Sequence, residues 1–167
     1  MQEELIVVMG VAGCGKSSVA HELAARAGIP MIEGDEHHPP ANKAKMSAGI
    51  PLDDDDREPW LRALAQRSAE LLADGTPVVL TCSALKRRYR DLLRTAAPQV
   101  LFVHLTGDPA VIAHRMAART GHFMPTTLLA SQLADLEPLA ADERGIVVDV
   151  GGSIAEQVAA VLRSPRP

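Results

Sequence analysis

The clearest chemistry in the chain lies in eight consecutive residues, Gly10-Val11-Ala12-Gly13-Cys14-Gly15-Lys16-Ser17. They match the pattern G-x-x-x-x-G-K-S/T in full. Glycines at these places let successive backbone N–H groups turn inward around phosphate oxygens. A helix starting near Lys16 adds the positive end of its dipole. The Lys16 ammonium reaches the β and γ phosphates of a nucleotide, and the Ser17 hydroxyl suits Mg2+. Ser18 completes the expected nucleotide-binding run. Cys14, inside the loop, reads as a small filler rather than a redox switch.

A phosphate loop does not say what the nucleotide's energy drives. It could power a motor, set a switch or phosphorylate a small molecule. Motors and switches carry an acidic residue closing a later apolar strand, but here that strand ends in Thr81-Cys82-Ser83. Gly107-Asp108-Pro109 reads as a helix start, with Asp108 as N-cap and Pro109 at the first helical position. The carboxylate left for chemistry is Asp35, just after an apolar segment. There it either orients and deprotonates an attacking hydroxyl, holds a water on Mg2+, or serves as an ordinary turn residue.

These groups need elements to hold them. Leu5–Met9 is a compact apolar run that predicts a buried strand, and Val19, Leu23 and Ala27 recur at helical spacing. Further strands are predicted at Pro30–Ile32, Pro77–Thr81, Val100–Leu105 and Ile146–Val148. A polar, proline-rich stretch follows the first of these. Trp60, Leu61, Leu64, Ser68, Leu71 and Leu72 then mark a helix closed by Gly75, and Ile154, Val158, Val161 and Leu162 mark a last one. Strands apolar on both faces and separated by helices predict a parallel α/β sheet covered on both sides. Ligands then sit beyond the carboxyl ends of the strands. The residues there include Gly10 to Ser17, Asp35 to His38, Cys82 to Lys86, Gly107-Asp108 and Gly151-Gly152.

Composition narrows the partners. The chain has 167 residues, a net charge of -4 and 2% aromatic residues. That length suits one domain over 1–167. One Trp, one Tyr and two Phe cannot build the stacking platforms of a single-stranded nucleic-acid reader, and the charge does not suit a nucleic-acid surface. No apolar run approaches the roughly 18 residues of a membrane helix, and the start Met1-Gln2-Glu3-Glu4 is unlike a signal peptide. Cys14 and Cys82 have no metal-ligand spacing and read as reduced thiols of a cytoplasmic protein. His37-His38 has no partners to complete a metal set.

The segment from Gly34 to Leu61 resembles the bacterial-type gluconokinases, with their run G-D-x-x-H-P-x-x-N-x-x-K-M-x-x-G-x-P-L-x-D-x-D-R-x-P-W-L. The matching residues are Asp35, His38, Pro39, Asn42, Lys45, Met46, Gly49, Pro51, Leu52, Asp54, Asp56, Arg57, Pro59, Trp60 and Leu61. Cys82–Lys86 with Tyr89–Arg94, and Arg119–Met124 with Leu128, Leu129, Ser131 and Gln132, are similar to the same family. The resemblance runs from Ile6 to about Val150. It implies an ATP- and Mg2+-dependent kinase that phosphorylates the 6-hydroxyl of D-gluconate to give 6-phospho-D-gluconate. It also implies the fold of the shikimate and nucleoside-monophosphate kinases, a five-stranded parallel sheet of order 2-3-1-4-5. With that fold come an acceptor-binding region over about 35–75, a mobile lid over about 119–136, and a homodimer.

The polar residues suit such an acceptor. Gluconate is an acyclic anion with many hydroxyls, and His38, Asn42, Lys45, Arg57, Ser83, Lys86 and Arg90 offer cations and donors. Arg57 reads either as a bidentate partner of the acceptor's carboxylate, set just before a helix, or as a solvated partner of Asp53 to Asp56. Ser83 either caps the next helix or donates to the acceptor. Lys86 and Arg90, one helical turn apart, are expected to face one way. Arg115 and Arg119, also one turn apart, are expected to clamp ATP phosphates from the lid, with His122 near acceptor or phosphate. The expected catalytic set is Lys16, Asp35 and Arg119, with Mg2+ on Ser17 and, through water, on Asp35. Adenine is expected on Arg115 and the loop Asp149–Ser153. The rival readings are a shikimate-like or nucleotide kinase and an ATP-dependent switch module.

Overall fold

The computed structural model describes residues 4–118 and 127–165. The elements run β1 (Leu5–Met9), α1 (Lys16–Ala27), β2 (Met31–Glu33), a 3-10 turn (Gly34–His37), α2 (Pro40–Ser47), α3 (Asp54–Ala73) and β3 (Val78–Thr81). They continue with α4 (Arg87–Arg94), β4 (Leu101–Thr106), α5 (Pro109–Ala118), α6 (Thr127–Asp135), β5 (Gly145–Asp149) and α7 (Ile154–Arg163). The five strands form one sheet of order β2-β3-β1-β4-β5, all neighbours parallel. This is the order the resemblance implies.

β1 lies at the centre, and all its residues are buried because helices cover both faces. Val19, Leu23, Leu61, Leu64 and Val158 pack against the strand core and are fully buried. The register pairs Val8 with Thr81 and Val103, and Thr81 with Glu33. The strands therefore end at nearly one level, and the loops after β1, β2 and β3 leave the sheet side by side.

Local signals set several boundaries. The acidic run is the start of α3: Asp53 accepts from the Asp56 N–H at 2.7 Å, and Asp56 accepts from the Asp53 N–H at 3.0 Å. This reciprocal capping box satisfies two otherwise unpaired helix-end donors. Asp108 caps α5 by accepting from the Ala110 N–H at 2.8 Å. Three boundaries depart from expectation. The proline-rich stretch contains α2, which starts with Pro40 at its first position. α3 begins at Asp54, so Arg57 lies inside the helix rather than before it. α4 begins at Arg87 with Lys86 at its N-cap, so Ser83 does not cap it. Among the described residues, no helix is long and apolar enough to cross a membrane.

Candidate active site

The loop between β1 and α1 forms one wall of the site. Gly15 is the N-cap of α1 at φ 93°, a left-handed conformation that glycine adopts without strain. It brings no capping side chain, so the first amide donors of α1 are left for a ligand. The Lys16 ammonium donates to the carbonyls of Gly10 at 3.0 Å and Val11 at 3.1 Å. The Gly10 N–H donates to the Ser83 carbonyl at 3.3 Å, tying the phosphate loop to the turn after β3. Cys14 is buried, as expected of a filler.

The opposite wall follows β2. Thr81 takes the place a carboxylate would hold in a motor or switch. Its hydroxyl accepts from the Gly34 N–H at 2.9 Å and donates to Glu33 Oε1 at 2.6 Å. Gly34 sits so close to β3 that a Cβ there would lie 2.0 Å from the Thr81 carbonyl oxygen. Trp60 Nε1 donates to the Gly34 carbonyl at 2.8 Å from the other side. Gly34 is thus held from both directions, and the next residue, Asp35, is presented at the sheet end.

His38 stacks on Trp60 with ring centroids 3.9 Å apart and an interplanar angle of 18°. Its tautomer follows from its neighbours. Asn42 Nδ2 donates to the Asp56 carbonyl at 2.9 Å, which fixes the amide because a carbonyl only accepts. The same Nδ2 faces His38 Nδ1 at 3.3 Å, so Nδ1 accepts and the proton sits on Nε2, 3.9 Å from Asp35 Oδ1. Burial, then the positive charges of Arg57 and Lys43, lower the His38 pKa to about 4. The distant Asp35 carboxylate does not offset this. His38 is therefore a neutral N–H donor at neutral pH, and not one of the cations the sequence suggested.

Arg57 is buried on α3 with its guanidinium 5.3 Å from the centre of the Tyr89 ring. Among the described residues its Nε and Nη1 are buried without hydrogen-bond partners, and Nη2 lies 3.9 Å from Asp135 Oδ2. It is not the solvated partner of the acidic run. Asp54 is held by Tyr89, Lys86 and Arg88, and Asp56 by Lys45. The hydrogen bond from Tyr89, then that from Lys86, hold the Asp54 carboxyl below the usual range.

One cavity joins these walls. Lys16, Ser17, Asp35, His38, Arg57 and Ser83 line it, together with loop backbone at Ala12, Gly13 and Gly15. α6 adds Leu128, Ser131 and Gln132, and Gln132 Oε1 accepts from the Ala12 N–H at 2.7 Å. Beyond the loop, a second groove is lined by Ser18, Arg115, Gly152, Ser153 and Gln157 with the backbone of Gly13 and Gly15. The Gln157 side chain donates to the Gly152 carbonyl at 3.0 Å and leaves Oε1 buried without a partner among the described residues.

Other expected residues lie elsewhere. Asn42 braces His38, Lys45 bonds both Asp56 oxygens, and Lys86 bonds Asp54, so these three stand behind the cavity wall. Arg90 is corrected outright. It is fully buried, bonds Glu143 at 2.6 and 3.0 Å, and donates to the carbonyls of Ala84, Leu85 and Pro138. With Lys86 outside the helix, the two do not face one way. Arg119 and His122 lie outside the described residues, as does the lid stretch 119–126. Sequence reasoning assigned no role to Gln157 or to Gln132, whose partner in the phosphate loop is 120 residues away.

Comparison with known proteins agrees with this geometry. The model of a family described as an AAA domain matches residues 5–139. The Gluconobacter oxydans gluconokinase is 49% identical over 143 residues, covering 86% of this chain and 80% of that protein. The crystal structure of a gluconokinase from Sinorhizobium meliloti has a TM-score of 0.86 at 53% identity and covers 96% of this chain and 90% of that one. An unliganded sugar kinase from a Janibacter species has a TM-score of 0.92 at 48% identity, covering 95% and 92%. With its complete phosphate loop and this extent of likeness, the chain belongs to the gluconokinase family of nucleotide-binding P-loop kinases.

Proposed function

We propose that this protein transfers the γ-phosphoryl group of ATP to the 6-hydroxyl of D-gluconate, giving 6-phospho-D-gluconate and ADP. The observation that carries the reading is the shared cavity. It sets Lys16 and Ser17 of the phosphate loop across from Asp35, His38 and the partly unpaired Arg57. Arg57 supplies two free donors for the gluconate carboxylate, a match that favours an anionic acceptor. His38 donates through Nε2 to a hydroxyl. Asp35 orients the attacking hydroxyl and takes its proton. Lys16 neutralises charge on the transferring group. The nucleotide base lies in the second groove, against Arg115 and the Gly152-Ser153 turn, and the loop amides cradle the phosphates.

The donor set suits Mg2+. Ser17 and Asp35 offer hard oxygen ligands from the two facing walls of the cavity, and no group of three or more His, Cys, Asp or Glu that could hold a metal occurs among the described residues. That is the pattern of an ion held by one or two protein oxygens, phosphates and water. Ser17 would hold Mg2+ directly and Asp35 through water. When bound, Mg2+ would supply positive charge that offsets the charge on the phosphates.

The test is coupled ADP release with a panel of acceptors: gluconate, other sugar acids, shikimate and nucleoside monophosphates. Turnover with gluconate no greater than with water would overturn the assignment. The Asp35→Asn variant is expected to lower kcat by about 100-fold or more while MgATP affinity stays within about twofold. Undiminished turnover would remove Asp35 from the proton-transfer role.

A further inference from the structure

Helix α6 touches both halves of the cavity. Gln132 Oε1 accepts from the Ala12 N–H of the phosphate loop, a buried contact between residues 120 positions apart. Three residues later on the same helix, Asp135 lies 3.9 Å from Arg57. Residues three apart share a helix face. Leu128 and Leu129, buried in the core, anchor the helix. One rigid element therefore meets the nucleotide side through an uncharged amide and the acceptor side through a carboxylate.

This geometry has an energetic consequence. The loop backbone must adopt the arrangement that fits phosphate, and Ala12, whose N–H is held by Gln132, is part of that loop. Fixing the loop fixes where Gln132 stands, and with it Asp135 and the Arg57 guanidinium. A ligand that favours one loop arrangement then biases α6, and by linkage a ligand on Arg57 biases the loop by the same factor.

We propose that Gln132 is a positioning residue that sets α6 over the phosphate loop and makes nucleotide and acceptor binding mutually favourable. The acceptor half of this inference rests on the gluconate reading above. The loop half does not.

The test compares wild-type protein with Gln132→Met, which keeps the side chain's length but removes the oxygen, and Gln132→Glu, which keeps an acceptor for the Ala12 amide. The first readout is amide hydrogen exchange with and without Mg2+ and the non-hydrolysable analogue AMP-PNP. The Ala12 amide is expected to exchange at least about fivefold faster in Gln132→Met. The analogue is expected to raise protection across α6 in the wild type and, at saturation, in Gln132→Glu, but not in Gln132→Met. The second readout is calorimetric titration with gluconate. Saturating the loop with the analogue should tighten gluconate binding by about fivefold in the wild type and Gln132→Glu, and leave it unchanged in Gln132→Met. A merely structural Gln132 would lower Tm in Gln132→Met and leave both couplings intact, which overturns the proposal. So does a wild type in which the analogue leaves α6 protection unchanged. If gluconate does not bind while the exchange results hold, the acceptor assignment fails and the coupling of loop to helix stands.

Discussion

Two arginines of this protein are buried to almost the same degree, and their surroundings could hardly differ more. Arg90 on α4 is saturated: a bidentate pair with Glu143 and three backbone carbonyls take its donors. Burial alone would raise the Glu143 carboxyl, but the hydrogen bond from Arg90 and that from the Ala140 N–H hold it below the usual range. Arg57 on α3 keeps two buried nitrogens unpaired beside a cavity and has only a loose contact with Asp135. A buried cation with every donor filled holds the fold together. A buried cation with donors to spare, facing a polar cavity, is set for an anion that arrives later.

The comparison breaks first at Arg90. Arg90→Met leaves the Glu143 carboxylate buried without its partner, and it is expected to cost about 3–5 kcal/mol of stability. The double variant Arg90→Met with Glu143→Leu should recover most of that loss, because both charges leave together. Denaturant unfolding of the three proteins measures this. In folded double variant, the KM for gluconate should stay within about twofold of wild type. A large rise in KM without loss of stability would return Arg90 to the acceptor site. Some coupling to the site is built in, since Arg90 braces the Ala84 carbonyl, and Ala84 sits at φ 46° directly after Ser83.

The converse holds for Arg57. Two charge-assisted hydrogen bonds to a carboxylate are worth about 4 kcal/mol together, so Arg57→Met is expected to lower kcat/KM for gluconate by about 1,000-fold. The same change removes an incompletely paired buried charge, so Tm should hold or rise. Steady-state kinetics beside a thermal melt checks both halves. A protein that loses stability and keeps its kcat/KM would make Arg57 a second Arg90.

The contrast between these arginines was not readable along the chain, and the reason is physical. Spacing reports which residues share a helix face only when both lie in the helix. Lys86 stands at the N-cap of α4, so its four-residue distance from Arg90 carried no such information. The partner that settles the role of Arg90 is 53 residues away, and the partner of Gln132 is 120 away. α2 escaped notice because it is short, begins in prolines and buries only Asn42 and Met46, too few for a period to show. The parts that were legible are those whose signal is local. The phosphate loop, the five apolar runs, the Asp108 cap and the acidic start of α3 each lie within a few residues of the structure they specify. The strand order is different again, since it followed from the likeness of the Gly34–Leu61 segment to a family and not from any periodicity.

His38 offers the finest discrimination between a wall built for stability and one built for a ligand. Its pKa of about 4 in the folded protein lies below the 6.5 of an unperturbed histidine, because burial and the nearby cations disfavour the imidazolium. Between these values the unfolded chain binds a proton that the native protein does not. Stability therefore rises with pH across this window, is fully present above about 6.5, and is lost as pH falls towards 4. The shift corresponds to at most about 3 kcal/mol. Carboxylates that are paired in the native state also lose stabilisation in acid, so the informative quantity is the difference from a His38→Gln variant. That variant should be less stable than wild type at pH 7, where it lacks the stacked ring on Trp60, and should lose less stability between pH 6.5 and 4. Urea unfolding at steps across that range supplies the two slopes. Parallel slopes would mean that the native protein protonates His38 as readily as the unfolded chain does, and so carries the imidazolium through the acid part of that range. It would then present a charge to the cavity, as the sequence first suggested, and Arg57 would no longer be the dominant cation on the acceptor side.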